Sequence, residues 1–529
     1  MTFTGTLLPY QPEAVDKMCD RGKVLVAYDL GLGKTVLTIA ALERLMDNRS
    51  VREPGIIICL SSLKYQWADQ IRRFTSDTSN PLVIDGTPKQ RAAQYAKALD
   101  WANSGVDYII LNYEQVVNDW ATVSKLPRGF IVCDEATAIK SFRSKRSKYI
   151  KKLSSNYKFA LTGTPVENGK PEELYSIMQF VDPTVLGRFD LFDKTFIVRN
   201  RFGGVERYRN IDILSKTIKD AAVRKRQEDP DVSPYLPDVI TKEPILVPFS
   251  KAAKEIYTKI TDDLLLDLDD AMESFGSSFD IFSHYGQGDQ GGPMDELRGR
   301  IMSKLTALRM WCDHPDLLIH SGKIYNPMQG VGSKYAFECI QDGLLDGTWK
   351  SPKLEILKNY VDEFLSLDES NKVVIFTTYV NMVTFIQQAL PYESVIYTGK
   401  LNAKEKELAK TKFQTSPDCR VFISSDAGGY GIDLPQANLL INYDLPWNAG
   451  LAVQRNGRIK RASSSWKSVV IQDILMDGSI EQRQHELLIQ KAAVASAVVD
   501  GAGLDDRGGI KLTAGSLRAF LVNASTIIV

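Results

Sequence analysis

The chain has 529 residues, more than one hydrophobic core normally organises, so two or more domains are expected. Its 65 basic and 65 acidic side chains cancel, which excludes a global field for a polyanion; a nucleic acid would have to be met by local patches. Six cysteines (Cys19, Cys59, Cys133, Cys312, Cys339, Cys419) include no C-x-x-C pair, which argues against a zinc ribbon or a disulfide framework and for a reducing compartment.

In chain order, the opening MTFTGTLLPYQPEA has no basic segment followed by an apolar core. No apolar run approaches the roughly 18 residues of a membrane helix, so no membrane partner is expected. The expected location is the cytoplasm of a bacterial or virus-infected cell, or the nucleus of a eukaryotic one. Short β-branched runs follow at 23–29 (KVLVAYD), 55–60 (GIIICL), 107–112 (DYIILN), 130–136 (FIVCDEA) and 158–164 (KFALTGT), separated by amphipathic helical stretches. Continuous apolar strands alternating with helices are the pattern of a parallel sheet covered on both faces, with ligands at the strands' carboxyl ends.

From about 186 to 345 the pattern changes to helix, with proline-marked joints at DPDVSPYLPD and VPFS and a flexible Gly/Ser loop near 275–296. A second set of strand runs then appears at 372–379, 393–399, 420–426, 438–444 and 468–476. After 490 the chain reads as a helix, a glycine break and a short helix. The expected organisation is therefore a first lobe (1–185), helical insertions (186–345), a second lobe (346–490) and a C-terminal tail (491–529).

Four motifs carry chemistry. In AYDLGLGKT, Tyr28 stands where the general signature G-x-x-x-x-G-K-[ST] has its first glycine. The loop still lies between a strand and a helix: backbone N–H groups of Gly31, Leu32, Gly33, Lys34 and Thr35 can face phosphates, Lys34 can reach the terminal ones, and the Thr35 hydroxyl can hold Mg²⁺. In VCDEATAIK, at a strand end, Asp134 would hold Mg²⁺ and Glu135 would orient and deprotonate an attacking water. In ALTGTPVEN, Thr162 and Thr164 could relay hydrogen bonds between the acid pair and a nucleic acid. QRNGRIKR (454–461) fits Q-R-x-G-R-x-x-R; on a helix starting near Gln454, Arg458 and Arg461 share a face and could act as arginine fingers, worth about 10³ to 10⁵ in rate.

In order, these motifs resemble those of superfamily 2 helicases, and finer details resemble the Swi/Snf-type branch in its compact bacterial or viral form. LLPYQPEAV (7–15), IIICLSSLKYQW, LTGTPVENGKPEELYSIMQFVDP, LRMWCDHPDLL (308–318), SPKLEILKNYVDEF and SDAGGYGIDLPQANLLINYDLPWN carry the likeness from Leu7 to about Phe520. The resemblance implies an α/β fold: two RecA-like parallel-sheet lobes with helical insertions between them and a C-terminal helical brace. It implies ATP and Mg²⁺ as ligands and an ATPase site made of Gln11, which would read adenine, with Gly31, Gly33, Lys34, Thr35, Asp134, Glu135, Gly431, Asp433, Gln454, Arg458 and Arg461. It further implies translocation on double-stranded or branched DNA, by a monomer when free of DNA, in replication, recombination or repair; a strand-separating or branch-migrating helicase is the alternative.

Against the branch pattern, Tyr28 and Asp29 replace Asp and Glu, Leu60 replaces Pro, Thr137 replaces His, Gly457 replaces Asp, and Ser463 and Ser464 replace Gly and Gln. Tyr28 is expected to alter the loop's support without removing ATP binding. Cys312, His314 and His320 lack a fourth metal ligand and are read as packing residues. Expected DNA contacts, to phosphates rather than bases, are Ser61, Ser62, Lys64, Asn112 and Tyr113 on the first lobe, part of the basic run SFRSKRSKYIKK (141–152), and Thr377, Thr378, Ser424, Ser425 and Trp447 on the second.

Overall fold

The computed structural model describes residues 3–76, 79–199, 205–277, 279–281, 292–346, 349–426, 432–462, 464–500 and 513–526. Most of the loop expected near 275–296, and the glycine break expected in the tail, lie outside these residues. β1 (Lys23–Tyr28), β2 (Gly55–Cys59), β4 (Tyr108–Asn112), β5 (Ile131–Asp134) and β6 (Lys158–Leu161) fall in the apolar runs of the first lobe, with a short β3 (Pro81–Val83) between them. Alternate residues along each strand face opposite sides of the sheet. Leu25, Ala27, Ile56, Ile58 and Ile109 pack under one helical layer, while Val24, Val26, Ile57, Cys59 and Ile110 pack under the other.

The middle of the chain departs from the helical expectation. β7 (Ile197–Arg199) and β8 (Val205–Tyr208) form an antiparallel pair, and β9 (Ala222–Lys225), β10 (Asp238–Thr241) and β11 (Ile245–Val247) join the two large sheets. β9 pairs in parallel with β1 and completes the first sheet, in the order β3-β4-β2-β5-β6-β1-β9. These strands are three or four residues long. Sequences such as AVRK and DVIT carry too few alternations to signal a strand; an open edge on an existing sheet makes them one.

The second lobe contains β12 (Val373–Thr377), β13 (Ser394–Tyr397), β14 (Val421–Ser425), β15 (Leu439–Asn442) and β16 (Ser468–Met476). Its sheet runs β10-β16-β15-β12-β14-β13, with β11 also pairing β16, and every pairing is parallel. The connecting segment thus supplies the edge of one sheet and then the edge of the other. Beyond it, helices Lys251–Phe275 and Pro293–Asp313 pack together and onto the second lobe, and the terminal helix Ala514–Thr526 lies on the first of the pair, where Arg518 pairs with Asp269 at 2.5 Å. Among the described residues no helix is long and apolar enough to cross a membrane.

The helix Ile480–Asp500 belongs to both lobes. Ile480 and Leu487 lie in the core of the second lobe, and Val494 and Val498 lie in the core of the first. At about 1.5 Å per residue its 21 residues span about 30 Å. Its start is fixed by a buried ion cluster: Lys353 Nζ meets Asp313 Oδ1 at 2.9 Å and Glu481 Oε1 at 2.5 Å, with all three side chains no more than 2% exposed. Burial, and then the charges of Asp444 and Glu481, drive the Asp313 carboxyl well above the usual range against the pull of Lys353. Lys353→Met would leave both without a cation, and should cost about 3–5 kcal/mol of stability in urea unfolding. Asp313→Asn, which leaves the Lys353–Glu481 pair intact, should cost clearly less.

Candidate functional site

β1 ends at Tyr28, whose ring turns into the core and whose hydroxyl donates to the Tyr10 carbonyl at 3.0 Å. The residue that departs from the signature therefore supports the loop from beneath and does not face its open side. Gly31 and Gly33 follow with φ of +80° and +76°, which L side chains rarely adopt. A Cβ on Gly33 would lie 2.4 Å from Gln11 Nε2. The helix Lys34–Asp47 starts here, so the loop N–H groups and the positive end of the helix dipole converge on one spot. Lys34 Nζ donates to the carbonyls of Tyr28 (2.9 Å) and Asp29 (3.1 Å); burial lowers its pKa against the pull of Glu135 and Asp134. The Gln11 amide accepts from Leu8 N–H and donates to the Leu32 carbonyl, so it braces the loop instead of presenting both its groups to a base.

The acid pair terminates β5. Asp134 is buried; its Oδ2 accepts from Trp67 Nε1 at 2.8 Å and its Oδ1 from Glu135 N–H at 3.0 Å. Glu135 has a φ of +50°, a left-handed conformation that costs a non-glycine residue about 1–2 kcal/mol. Its Oε2 is buried without a hydrogen-bond partner, and burial, then the Asp134 charge, push its pKa up to about 7 against Lys34 and Arg458. The Thr35 hydroxyl at the start of the helix Lys34–Asp47 and the Asp134 carboxyl are oxygen donors of the kind that suits a hard cation such as Mg²⁺. Thr162 is buried and its hydroxyl accepts from Thr164 N–H at 3.1 Å.

The second lobe closes over this loop. The helix carrying the arginine motif runs Ala449–Asn456, starting earlier than expected; Arg458 follows it in a turn and Arg461 lies just beyond. Asn448 starts it by accepting from Gly450 and Leu451 N–H, and the helix ends at Gly457. A Cβ on Gly457 would sit 2.9 Å from Leu30 Cδ1, which accounts physically for glycine where the branch has Asp. Arg461 donates to Asp433 Oδ1 at 2.6 Å, and its Nη1, buried with no hydrogen-bond partner, lies 2.9 Å from where a Gly31 Cβ would be. Arg458 donates to the Ile432 carbonyl and Gln454 is buried with a free Oε1; Gly431 lies outside the described residues.

A second bridge was not legible in the motifs. Glu167 pairs with Lys140 and accepts from Asn448 Nδ2 at 3.1 Å, and its carbonyl accepts from Gly450 N–H at 3.3 Å. Trp67 on Asp134 is likewise additional, although its tryptophan lies in a quoted motif.

The structure gives several of the expected DNA contacts partners within the protein. Lys64 is buried, with Nζ on the Ile84 carbonyl and Asp85, both at 2.8 Å. The buried Tyr113 hydroxyl donates to the Asp134 carbonyl, and Asn112 caps the helix Tyr113–Asn118. Thr377 and Ser424 are buried and bond to Asp444 and to the Tyr397 carbonyl; Ser425 is buried too. For Thr377, Ser424 and Ser425 alternation is the reason: a hydroxyl at a strand's end faces inward as often as outward. Ser61 and Ser62 are exposed, and Thr378 and Trp447 are half-buried. In the basic run, Arg143, Lys145, Lys148 and Lys152 are exposed, whereas Arg146 pairs with Glu114 and Lys151 bonds to Ser176.

The SNF2-related domain matches residues 10–317 and the helicase conserved C-terminal domain matches residues 352–463. The chain is 26% identical over 509 residues to a putative ATP-dependent helicase/translocase, YwqA, of Bacillus subtilis, covering 94% of this chain and 49% of that protein. It is also 26% identical over 514 residues to the human SWI/SNF-related matrix-associated actin-dependent regulator of chromatin subfamily A member 1, covering 95% of this chain and 44% of that one. The chain thus spans about half the length of the curated relatives it matches. Among solved structures, the Sulfolobus solfataricus SWI2/SNF2 ATPase core in complex with dsDNA is similar at 24% identity and a TM-score of 0.42, covering 94% of each chain.

The acid pair yields a pH test. A carboxyl whose pKa is raised by folding costs nothing below its unfolded value and costs stability progressively as the pH rises through the folded one. Glu135 should therefore destabilise the nucleotide-free chain between pH 4.5 and about 7. In matched thermal scans, Glu135→Gln should melt above the parent at pH 8 and close to it at pH 5.

Proposed function

The chain belongs to the SNF2-related family, and on that premise we propose that it is a DNA-dependent ATPase of helicase superfamily 2 that moves along double-stranded DNA and remodels protein–DNA complexes or branched DNA. The observation that carries this reading is the position of Arg461, on the second lobe, over Gly31 in the glycine loop of the first. A loop that cradles phosphate with a cation arriving from a different lobe makes nucleotide occupancy and lobe closure one event.

Each residue then has a task. N–H groups of Gly31 to Thr35 receive the phosphates, and Lys34 turns from the Tyr28 and Asp29 carbonyls to reach the terminal ones. Mg²⁺, held by Thr35 and Asp134, would neutralise phosphate charge. Trp67 holds Asp134 in place, and Glu135 takes the proton of the water that attacks the γ-phosphorus as ADP leaves. Arg458 and Arg461 stabilise the charge on the transferred phosphoryl group, Asp433 orients Arg461, and the free Gln454 Oε1 would meet the nucleotide. Loss of the γ-phosphate removes what both lobes hold, and the lobes part; repeated, this advances the chain along its track. Ser61, Ser62 and the exposed basic side chains between 143 and 152 would hold DNA phosphates on the first lobe, with Thr378 and Trp447 on the second.

ATP hydrolysis measured without DNA and with single strands, duplex and a four-way junction tests the reading. Duplex or junction should stimulate turnover, Lys34→Ala should abolish it, and Arg461→Ala should slow it by about 10³-fold while ATP still binds. No stimulation by any DNA overturns the motor. Displacement of a triplex-forming strand without duplex unwinding supports translocation, whereas release of a labelled single strand favours the strand-separating alternative.

A further inference from the structure

Behind the glycine loop, on the side away from the acid pair, four charged side chains from three distant parts of the sequence meet. Asp29 receives Arg224 Nη1 on Oδ1 at 2.5 Å and Gln227 N–H on Oδ2 at 3.1 Å. Arg224, on β9, also donates from Nη1 to the Ala27 carbonyl at 2.8 Å and from Nε to Asp500 Oδ1 at 2.7 Å. Arg226 Nε lies 3.1 Å from the same Asp500 oxygen, and Ser496 donates to the other at 3.0 Å. Two carboxylates and two guanidinium groups balance, and the Asp500 side chain is 2% exposed.

An acid in the last turn of a helix opposes the helix dipole, and a buried one also loses its hydration. Asp500 is in both situations, and the two arginines compensate it through charge-assisted bonds. The loop needs this support for a specific reason. In the structure, Lys34 holds the Tyr28 and Asp29 carbonyls, and it must leave them to reach a phosphate. The Ala27 carbonyl stays bound to Arg224, and the Leu30 carbonyl to Gln227 Nε2 at 2.8 Å. While Arg224 faces Ala27 and Asp29, its other edge is occupied by Asp500.

We propose that Asp500, acting through Arg224, is a positioning residue for the phosphate loop: the end of a helix rooted in the second lobe sets the backbone that receives nucleotide in the first. The root is firm. Glu481 is held by Lys353, Gln484 Nε2 donates to the Leu445 carbonyl at 2.5 Å, and Lys491 Nζ donates to the Trp447 carbonyl at 2.9 Å. A shift at Trp447 is thereby carried along a rigid helix to the loop. The inference rests on the proposed ATPase reading for its consequence in turnover, but not for its structural content.

The test compares the full chain with its Asp500→Asn and Asp500→Glu variants. Hydrogen exchange of residues 27–33 in the nucleotide-free protein should speed up by about tenfold in Asp500→Asn, the equivalent of one charge-assisted hydrogen bond. Exchange at Ile480–Gln490 should be unchanged, and Asp500→Glu should restore most of the protection. Binding of Mg²⁺·ADP should weaken by a similar factor, and in turnover assays KM for ATP should rise while kcat stays within about twofold. Faster exchange confined to 494–500, with ADP binding as in the parent, overturns the proposal and leaves Asp500 as a helix-end cap. Should Asp500→Asn fail to fold, Ser496→Ala, which removes one bond to Asp500 and keeps its charge, should shift exchange at 27–33 in the same direction; no shift there overturns the proposal equally. A parent chain without DNA-stimulated turnover defeats the ATPase reading alone, because exchange at the loop still decides this one.

Discussion

Two lobes can share one nucleotide only if their backbones approach closely enough for a guanidinium group on one to reach a phosphate on the other. Here that approach occurs where side chains are missing. Gly31 makes room for Arg461, Gly457 for Leu30, and Gly450 for Glu167, whose Cγ would lie 2.4 Å from an added Cβ. The positions come from both lobes, and together they set the width of the cleft. The reach of Arg461 to the loop follows from this.

The parts of the chain that were legible in the sequence are those where a local signal is long or chemically specific. The β-branched runs of β1, β2, β4, β5 and β6 announce themselves because both faces of a parallel strand are apolar, and the glycine loop, acid pair and arginine motif have fixed spacings. What escaped depends on partners far away in sequence. AVRK becomes β9 because β1 offers an open edge, and nothing in those four residues says so. The helix of the arginine motif was misplaced because its start is set by Asn448, several residues before the motif. Lys64 and Tyr113 look like phosphate ligands by type, yet their direction is decided by Asp85 and by the Asp134 carbonyl. Gln11 was placed correctly beside the loop, but its amide is occupied by Leu8 and Leu32.

Electrostatics in this molecule is a matter of balanced groups and not of net charge. In the Lys353 cluster two carboxyl groups share one ammonium, sealed from water, which makes it a costly way to join a helix pair, a lobe and the helix Ile480–Asp500. The group at Asp500 is neutral and tied to the glycine loop through Arg224. The first fixes one end of the helix in place, and the second transmits its position.

The segment 226–237 leaves the edge of one sheet at β9 and enters the edge of the other at β10. Pro230, Pro234 and Pro237 restrict its backbone, and the Tyr235 ring packs at a tilt against Tyr10 of the first lobe with ring centres 6.2 Å apart. A tether this short and stiff gives the two halves of the nucleotide site an effective concentration for each other of about millimolar or higher. Between them lies a cavity of about 550 Å³ bounded by Asp29, Leu30, Gly457 and Lys460. Closure is therefore an intramolecular event with little left to search; on the proposed reading, nucleotide binding energy need not be spent on bringing the lobes together and remains available for the mechanical step.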